Sequence, residues 1–188
     1  MSAAPVFSED TSIQRYFADE EISPTRHEYT AGILHDMGGA SSAHNTIAGN
    51  IFAALHAHVR ERHWEIFISD MKVRVKMAGA DLFYYPDVMI CCDPSDDAVY
   101  FRHSPCVIFE IMSDTTERLD RGEKFVAYRT IASLQHYVLV RQDRVYVTTF
   151  HRRNDFMPEV CTRDTDLIAV DPVQFNLTLG GIYAHVRF

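Results

Sequence analysis

Two dense apolar runs, Leu82–Cys92 and Cys106–Met112, are each interrupted by one carboxylate, Asp87 in the first and Glu110 in the second. Short runs of this density, the first closed by the turn-forming stretch Pro94-Ser95-Asp96-Asp97, are the pattern of strands buried in a sheet. A carboxylate inside such a strand is costly unless it is paired, hydrogen-bonded or set against a cation. Successive strands tend to lie side by side, so the two acids can converge on one point. Hard oxygen donors there suit Mg²⁺ or Mn²⁺, which keep most of their waters and take phosphate as a further ligand. Two structural alternatives stand beside this reading. Pro-Asp is common at bends, and Glu110 can pair with Arg118 or Arg121.

The remaining periodicities surround these runs with helices and further strands. Ile13, Tyr16 and Phe17 have the i, i+3, i+4 spacing of a short amphipathic helix over Ser12–Glu21, ended by Ser23-Pro24. His27–Met37 predicts two short strands about Thr30-Ala31-Gly32, with Gly32 free to take positive φ. Ile47, Ile51, Leu55 and Val59 lie four apart on one stripe of a helix over Ala43–Arg62, which Ser42 or Asn45 would cap. Asp114–Ile131 predicts a loop and helix with Phe125, Tyr128 and Ile131 inward. His136–Val140 and Val145–Phe150 then form a hairpin, and strand pieces follow over Glu159–Phe188. The order predicts a mixed α/β sheet flanked by helices. At 188 residues it fits one domain over 1–188, with 1–22 as a helical N-terminal extension.

An apolar fraction of 47% with twelve Phe is enough to fill such a core. The four cysteines show no C-x-x-C pair, and adjacent Cys91 and Cys92 point to opposite faces of a strand, so buried free thiols are expected. The acidic N-terminus lacks a signal-like apolar run and no segment is long enough to span a membrane, so a soluble, cytoplasmic protein is expected. Eighteen basic residues against 26 acidic ones give a net charge of −8, the wrong sign for a protein that coats DNA unspecifically. Carboxylates gathered around a metal are compatible with that balance.

Lys124 follows the second acidic strand on a helix, from which an ammonium can reach back over the strand ends. There it can orient an attacking water and offset charge on a phosphoryl transition state. Three further residues are candidate phosphate contacts. His44 stands near a helix N-terminus, where capping or packing is the competing use. Lys72 and Arg74, with Lys76, alternate with Met71, Val73 and Val75 and form a basic stripe that is equally a plain solvated strand face. His56-Ala57-His58 diverge on a helix and make a poor chelate. No zinc-protease, serine-hydrolase or nucleotide-loop motif occurs.

Taken together, Pro86-Asp87, Glu110, Ser113-Asp114-Thr115-Thr116, Asp120, Gly122-Glu123-Lys124 and Tyr128 resemble the Uma-type restriction endonucleases of the PD-(D/E)-x-K superfamily. His27-Glu28-Tyr29 with Gly32-Ile33-Leu34, His44 ahead of an Ile/Leu helix, Val138-Leu139-Val140, Val145-Tyr146-Val147 and Leu179-Gly180-Gly181-Ile182-Tyr183 extend the likeness over roughly 26–183. The resemblance implies a restriction-endonuclease-like fold with Asp87 and Glu110 as metal-binding acids. It also implies that Glu28 is an early acid able to add a ligand through water. Met112 occupies the position of the usual lysine two residues after the second acid, so the resemblance moves the basic role to Lys124. It implies a Mg²⁺- or Mn²⁺-dependent endonuclease acting on nucleic acid, chiefly DNA, as a homodimer. An inactive nuclease-fold binding module and a hydrolase of a small phosphate ester are the alternatives.

Overall fold

A computed structural model describes residues 11–113 and 116–188. Residues 1–10, within the expected N-terminal extension, and Asp114-Thr115 of the motif named above lie outside the described residues.

The chain opens with α1 (Ile13–Ile22), the short strands β1 (His27–Thr30) and β2 (Ile33–Asp36), and the long helix α2 (Ser42–Arg60). The turn between β1 and β2 places both Ala31 and Gly32 at positive φ, 49° and 97°. Ser41, rather than Ser42 or Asn45, caps α2: its Oγ accepts from the His44 amide at 3.1 Å. The helix begins one residue earlier than the apolar stripe suggests, and the cap moves with it.

Next come β3 (Glu65–Ile68), β4 (Lys72–Met77), β5 (Ala80–Tyr84), β6 (Val88–Cys91), β7 (Phe101–Arg102) and β8 (Pro105–Met112). The run Leu82–Cys92 is therefore two strands, and they belong to different sheets. Among the described residues β5 lies in a five-stranded sheet, order β2-β1-β5-β4-β7. The segment Tyr85-Pro86-Asp87 carries the chain into a six-stranded sheet that holds β6 and β8. Its remaining members are β3, β9 (His136–Arg141), β10 (Val147–His151) and β11 (Pro158–Cys161), in the order β11-β10-β9-β8-β6-β3. The short helices α3 (Glu117–Arg121) and α4 (Glu123–Arg129) connect β8 to β9, which run parallel; the other neighbours in this sheet are antiparallel. A small ribbon of β12 (Leu167–Val170) and β13 (Phe175–Thr178) and the turn helix α5 (Leu179–Ile182) end the chain.

Period-two alternation along β8 divides the core. Val107, Phe109 and Ile111 face Ile47, Ile51, Leu55 and Val59 of α2 together with the C-terminal ribbon. Ile108 and Met112 face the other way, toward Ala127 and Tyr128 of α4 and Val73, Val75 and Leu82 of the five-stranded sheet. Every residue of β8 is buried. The mixed sheet flanked by helices is thus realised, with a second sheet closing one face. No helix among the described residues is long and apolar enough to cross a membrane.

Two expectations need correction. The stripe of Lys72, Arg74 and Lys76 is a solvated face only at Lys76. Lys72 is buried against Tyr85 and against Phe17 of α1, and Arg74 is paired with Asp81 at 2.7 Å over the Phe83 and Phe101 rings. Nor are all cysteines free. Cys91 and Cys161 are, but Cys92 and Cys106 form a disulfide, their Cα atoms 5.9 Å apart across the β6–β8 pair. Cys92 does point away from Cys91, and Cys106 of the next strand meets it there, a neighbour that sequence adjacency does not reveal.

Candidate active site

The β6–β8 register sets the two acids together. The ladder closes with Val88 opposite Phe109, so one step further outward Asp87 comes opposite Glu110. Asp87 sits on the bend entering β6, and its Oδ2 accepts from the Ile111 amide at 2.7 Å, which ties it to the acidic strand itself. Glu110 alternates with Phe109 and Ile111 and therefore faces α4. There its Oε1 accepts from the Tyr128 hydroxyl at 2.8 Å and from Lys124 Nζ at 3.3 Å. The alternative pairing of Glu110 with Arg121 is not realised, since Arg121 is joined to Glu117.

Lys124 is the hub. Its ammonium lies 2.8 Å from Glu28 Oε1, 3.3 Å from Glu110 Oε1 and 3.6 Å from Asp120 Oδ1, and all four side chains are at most 7% exposed. Glu28 arrives from β1 of the other sheet, where its Oε1 also accepts from the Tyr85 amide at 3.2 Å. Asp120 is the penultimate residue of α3, two residues before the break at Gly122 between α3 and α4. A side chain at Gly122 would press its Cβ to 2.8 Å from the Arg118 carbonyl oxygen. Glycine is what lets the chain turn there and bring Asp120 and Lys124 to the same acid. His44, in the first turn of α2, approaches Asp87 Oδ1 with Nε2 at 3.2 Å, while its Nδ1 has no hydrogen-bond partner.

The charge balance is lopsided: four carboxylates, Glu28, Asp87, Glu110 and Asp120, face one lysine and one histidine. Burial pushes the Glu110 carboxyl well above the usual carboxylate range, Lys124 pulls the other way, and the neighbouring acids Asp120, Asp87 and Glu28 push further upward. Asp120 is raised by burial despite Lys124. Burial acts to lower the Lys124 pKa, but Glu110, Glu28 and Asp120 overcome it and hold the ammonium charged. For His44, burial opposes the charged ring, and its hydrogen bond and attraction to Asp87 more than offset this, so its pKa lies above the ordinary value.

These residues line one cleft of about 340 Å³, walled on the far side by His35 and Asp36 of β2 and by the Gly38-Gly39-Ala40 loop. The structure therefore brings Asp87, Glu110, Lys124, Glu28 and His44 around a single cavity, and leaves Lys72 and Arg74 outside it. Asp120 and Tyr128, which the motif comparison contained, gain positions in the cluster that spacing alone did not assign. Their signal was available: both lie four residues from Lys124, Tyr128 on the same helix and Asp120 just across the Gly122 break.

Among the described residues, no three His, Cys, Asp or Glu side chains form a cage that could hold a metal ion. A Mg²⁺ ion does not require one, because it takes one or two carboxylates and fills the rest of its shell with water and phosphate. Asp87 and Glu110 at the lip of one cleft meet that smaller requirement. So does the excess of buried negative charge, and Asp120 Oδ1 is buried with no hydrogen-bond donor. The donor set is dominated by carboxylates, which fit a hard divalent cation, and it holds no thiolate; His44 and His35 are its imidazoles.

Comparison with known proteins gives a consistent picture. The family model described as "Uma2: Putative restriction endonuclease" matches residues 13–180. Two proteins of Synechocystis sp. (strain ATCC 27184 / PCC 6803 / Kazusa), "Uncharacterized protein slr1290" and "Uncharacterized protein sll1609", are each 33% identical to this chain. The first aligns over 145 residues, 77% of this chain and 75% of its own length, and the second over 130 residues, 68% and 72%. In shape, the chain resembles the crystal structure of "a putative nuclease belonging to DUF820" from Anabaena variabilis ATCC 29413. The TM-score is 0.70 at 14% identity, over 88% of this chain and 93% of that one, a likeness of fold.

Proposed function

The chain belongs to the Uma2 family, and from that membership we propose that it is a metal-dependent endonuclease that hydrolyses phosphodiester bonds, with DNA as the substrate. The observation that carries the reading is the meeting of two acids, Asp87 at the bend before β6 and Glu110 within β8, with the Lys124 ammonium at one cleft. Asp87 and Glu110 would hold Mg²⁺ or Mn²⁺, which when bound acidifies a water and polarises the phosphoryl oxygen.

The rest is done by the chain's own groups. The Ile111 amide fixes the Asp87 carboxylate, and Tyr128 and Lys124 fix that of Glu110, so neither acid has to reorganise when the strand arrives. Glu28 and Asp120 keep Lys124 protonated in a site from which most water is excluded. Its ammonium is placed to orient the attacking water and to offset charge developing on the phosphoryl oxygens. His44, beside Asp87 at the cleft's other wall, is placed to donate to a phosphate oxygen. Because one such site cuts one strand, the reading includes a homodimer as the unit that cuts a duplex.

Plasmid DNA incubated with the protein and Mg²⁺ or Mn²⁺ tests the reading. Supercoiled DNA should become nicked or linear, and the Asp87→Asn and Lys124→Ala variants should lose this. Nicking that survives in both variants removes the assigned site. Turnover of a chromogenic phosphodiester without plasmid nicking would instead make the protein a small-ester hydrolase. Calorimetry without saturable divalent binding near neutral pH would make it a binding module.

A further inference from the structure

A second cavity, of about 320 Å³, lies on the other side of Tyr85 from the cleft. At its wall is Lys72, 6% exposed. Its ammonium donates to the Tyr85 hydroxyl at 3.1 Å and lies over the Phe17 and Tyr85 rings at 5.6 and 4.9 Å. No carboxylate among the described residues comes within ion-pairing distance of it. Of the nearby acids, Glu20 reaches Lys72 only through the shared Tyr85 hydroxyl, and the others are exposed. Glu20 accepts from the Tyr85 hydroxyl at 2.7 Å and from the His27 amide at 3.0 Å, with the His27 ring at 2.9 Å. Asp70 stands 3.7 Å from Arg26 and is exposed, as is Glu21.

A buried ammonium held by one hydroxyl and two ring faces is incompletely compensated, a costly arrangement unless an anion completes it. Burial accordingly pulls the Lys72 pKa down, with Glu20 opposing. Arg26 supplies a second cation at the same cavity. The opposite wall is apolar and open: Val99 is 75% exposed and Tyr100 57%. A buried cation, a guanidinium and an exposed aromatic ring together match a phosphate joined to a flat base. The cavity is also coupled in position to the cleft, because the Tyr85 amide donates to Glu28, the carboxylate nearest Lys124.

We propose that this cavity is a subsite for one nucleotide next to the bond that is cut, its phosphate on Lys72 and Arg26 and its base against Tyr100. Its place in a cleavage reaction rests on the nuclease reading, but the chemistry of its ligand stands on this cavity alone.

The test is fluorescence anisotropy of a short labelled single-stranded oligodeoxynucleotide without divalent ions, with adenosine 5′-monophosphate as competitor. Lys72→Met and Tyr100→Ser should each weaken binding by at least about fivefold, the low end of what one stacked base contributes. Lys72→Met should also reduce the salt slope by about one phosphate contact. Tyr100 is exposed, so its variant folds normally, and the melting shift with Mg²⁺ reports the integrity of the cleft in both. Displacement by the mononucleotide assigns the site to free nucleotides as well as strands; no displacement, with both variants impaired, confines it to strands. Both variants binding within twofold of wild type, or no binding by wild type at all, would overturn the proposal. Loss of binding in both variants by a protein that never nicks plasmid DNA would sink the nuclease reading and leave the subsite standing.

Discussion

Replacing Lys124 by methionine keeps the stem of the side chain and removes only the charge, so its effect isolates what the ammonium does. At an effective dielectric of about 20, unit charges at the distances seen between Lys124 and its three acids attract by roughly 4.5–6 kcal/mol per pair. That gross figure is not the cost of removal, because Glu110 and Asp120 already lean toward their neutral forms and can take up protons when the lysine is gone. Breaking a buried ion pair on one side typically costs about 3–5 kcal/mol. For a domain of this size each kcal/mol moves the melting temperature by roughly 2–4 °C, so Lys124→Met should melt about 6–20 °C below wild type at pH 8. The sign of the pH dependence follows from the raised carboxyl pKa values. The folded state binds protons more tightly than the unfolded one, so stability falls as pH rises from the ordinary carboxylate range through the raised values. The variant's deficit should therefore be smaller at pH 5 than at pH 8, because Glu110 and Asp120, whose pKa values are raised, take up protons as the pH falls and then need the cation less. Thermal unfolding followed by circular dichroism at the two pH values measures both quantities. A deficit below about 1 °C at pH 8, or one that is equal at pH 5 and pH 8, would refute the claim that Lys124 holds three buried acids together.

Four further outcomes are expected. Saturating Mg²⁺, at about 100 times its dissociation constant, should stabilise wild type by about 2.7 kcal/mol, and Asp87→Asn should abolish the shift in a melting assay. Tyr128→Phe removes a buried donor to Glu110 and should cost about 1.5–3 kcal/mol in urea unfolding, with plasmid cleavage reduced alongside. Gly122→Ala forces a Cβ against the Arg118 carbonyl and should lower both stability and nicking, whereas Gly49→Ala, where that Cβ meets nothing, should not lower either. His136 and His151 stack at 4.0 Å across β9 and β10, both His136 ring nitrogens lack partners, and burial lowers the pKa of both rings. Their contribution is present above the ordinary histidine value of 6.5 and lost as pH falls below it, so His136→Phe should flatten the decline in stability between pH 7.5 and 5 in denaturant titrations.

Local pattern was enough to identify the elements that build the site. The i, i+4 stripe of α2, the alternation that buries β8 and the turn at Ala31-Gly32 depend on neighbours within a few residues, and the structure follows them closely. The same is true of the two acids. A carboxylate in an apolar run is anomalous wherever it occurs, so Asp87 and Glu110 could be singled out without knowing what faces them, although only Glu110 lies inside a strand and Asp87 stands on the bend that Pro-Asp also suggested. What pairs with what was settled only in three dimensions, because a side chain's partners come from whichever strands the topology makes adjacent. Leu82–Cys92 reads as one run, yet the chain changes sheets at Tyr85-Pro86-Asp87, and that change brings Glu28 of the first sheet onto Lys124 beside Glu110 of the second. For the same reason Lys72, polar by alternation, is covered by Phe17 of α1, and Cys92 meets Cys106 instead of remaining a free thiol. Periodicity records which face of an element is apolar; only packing decides what covers the other face.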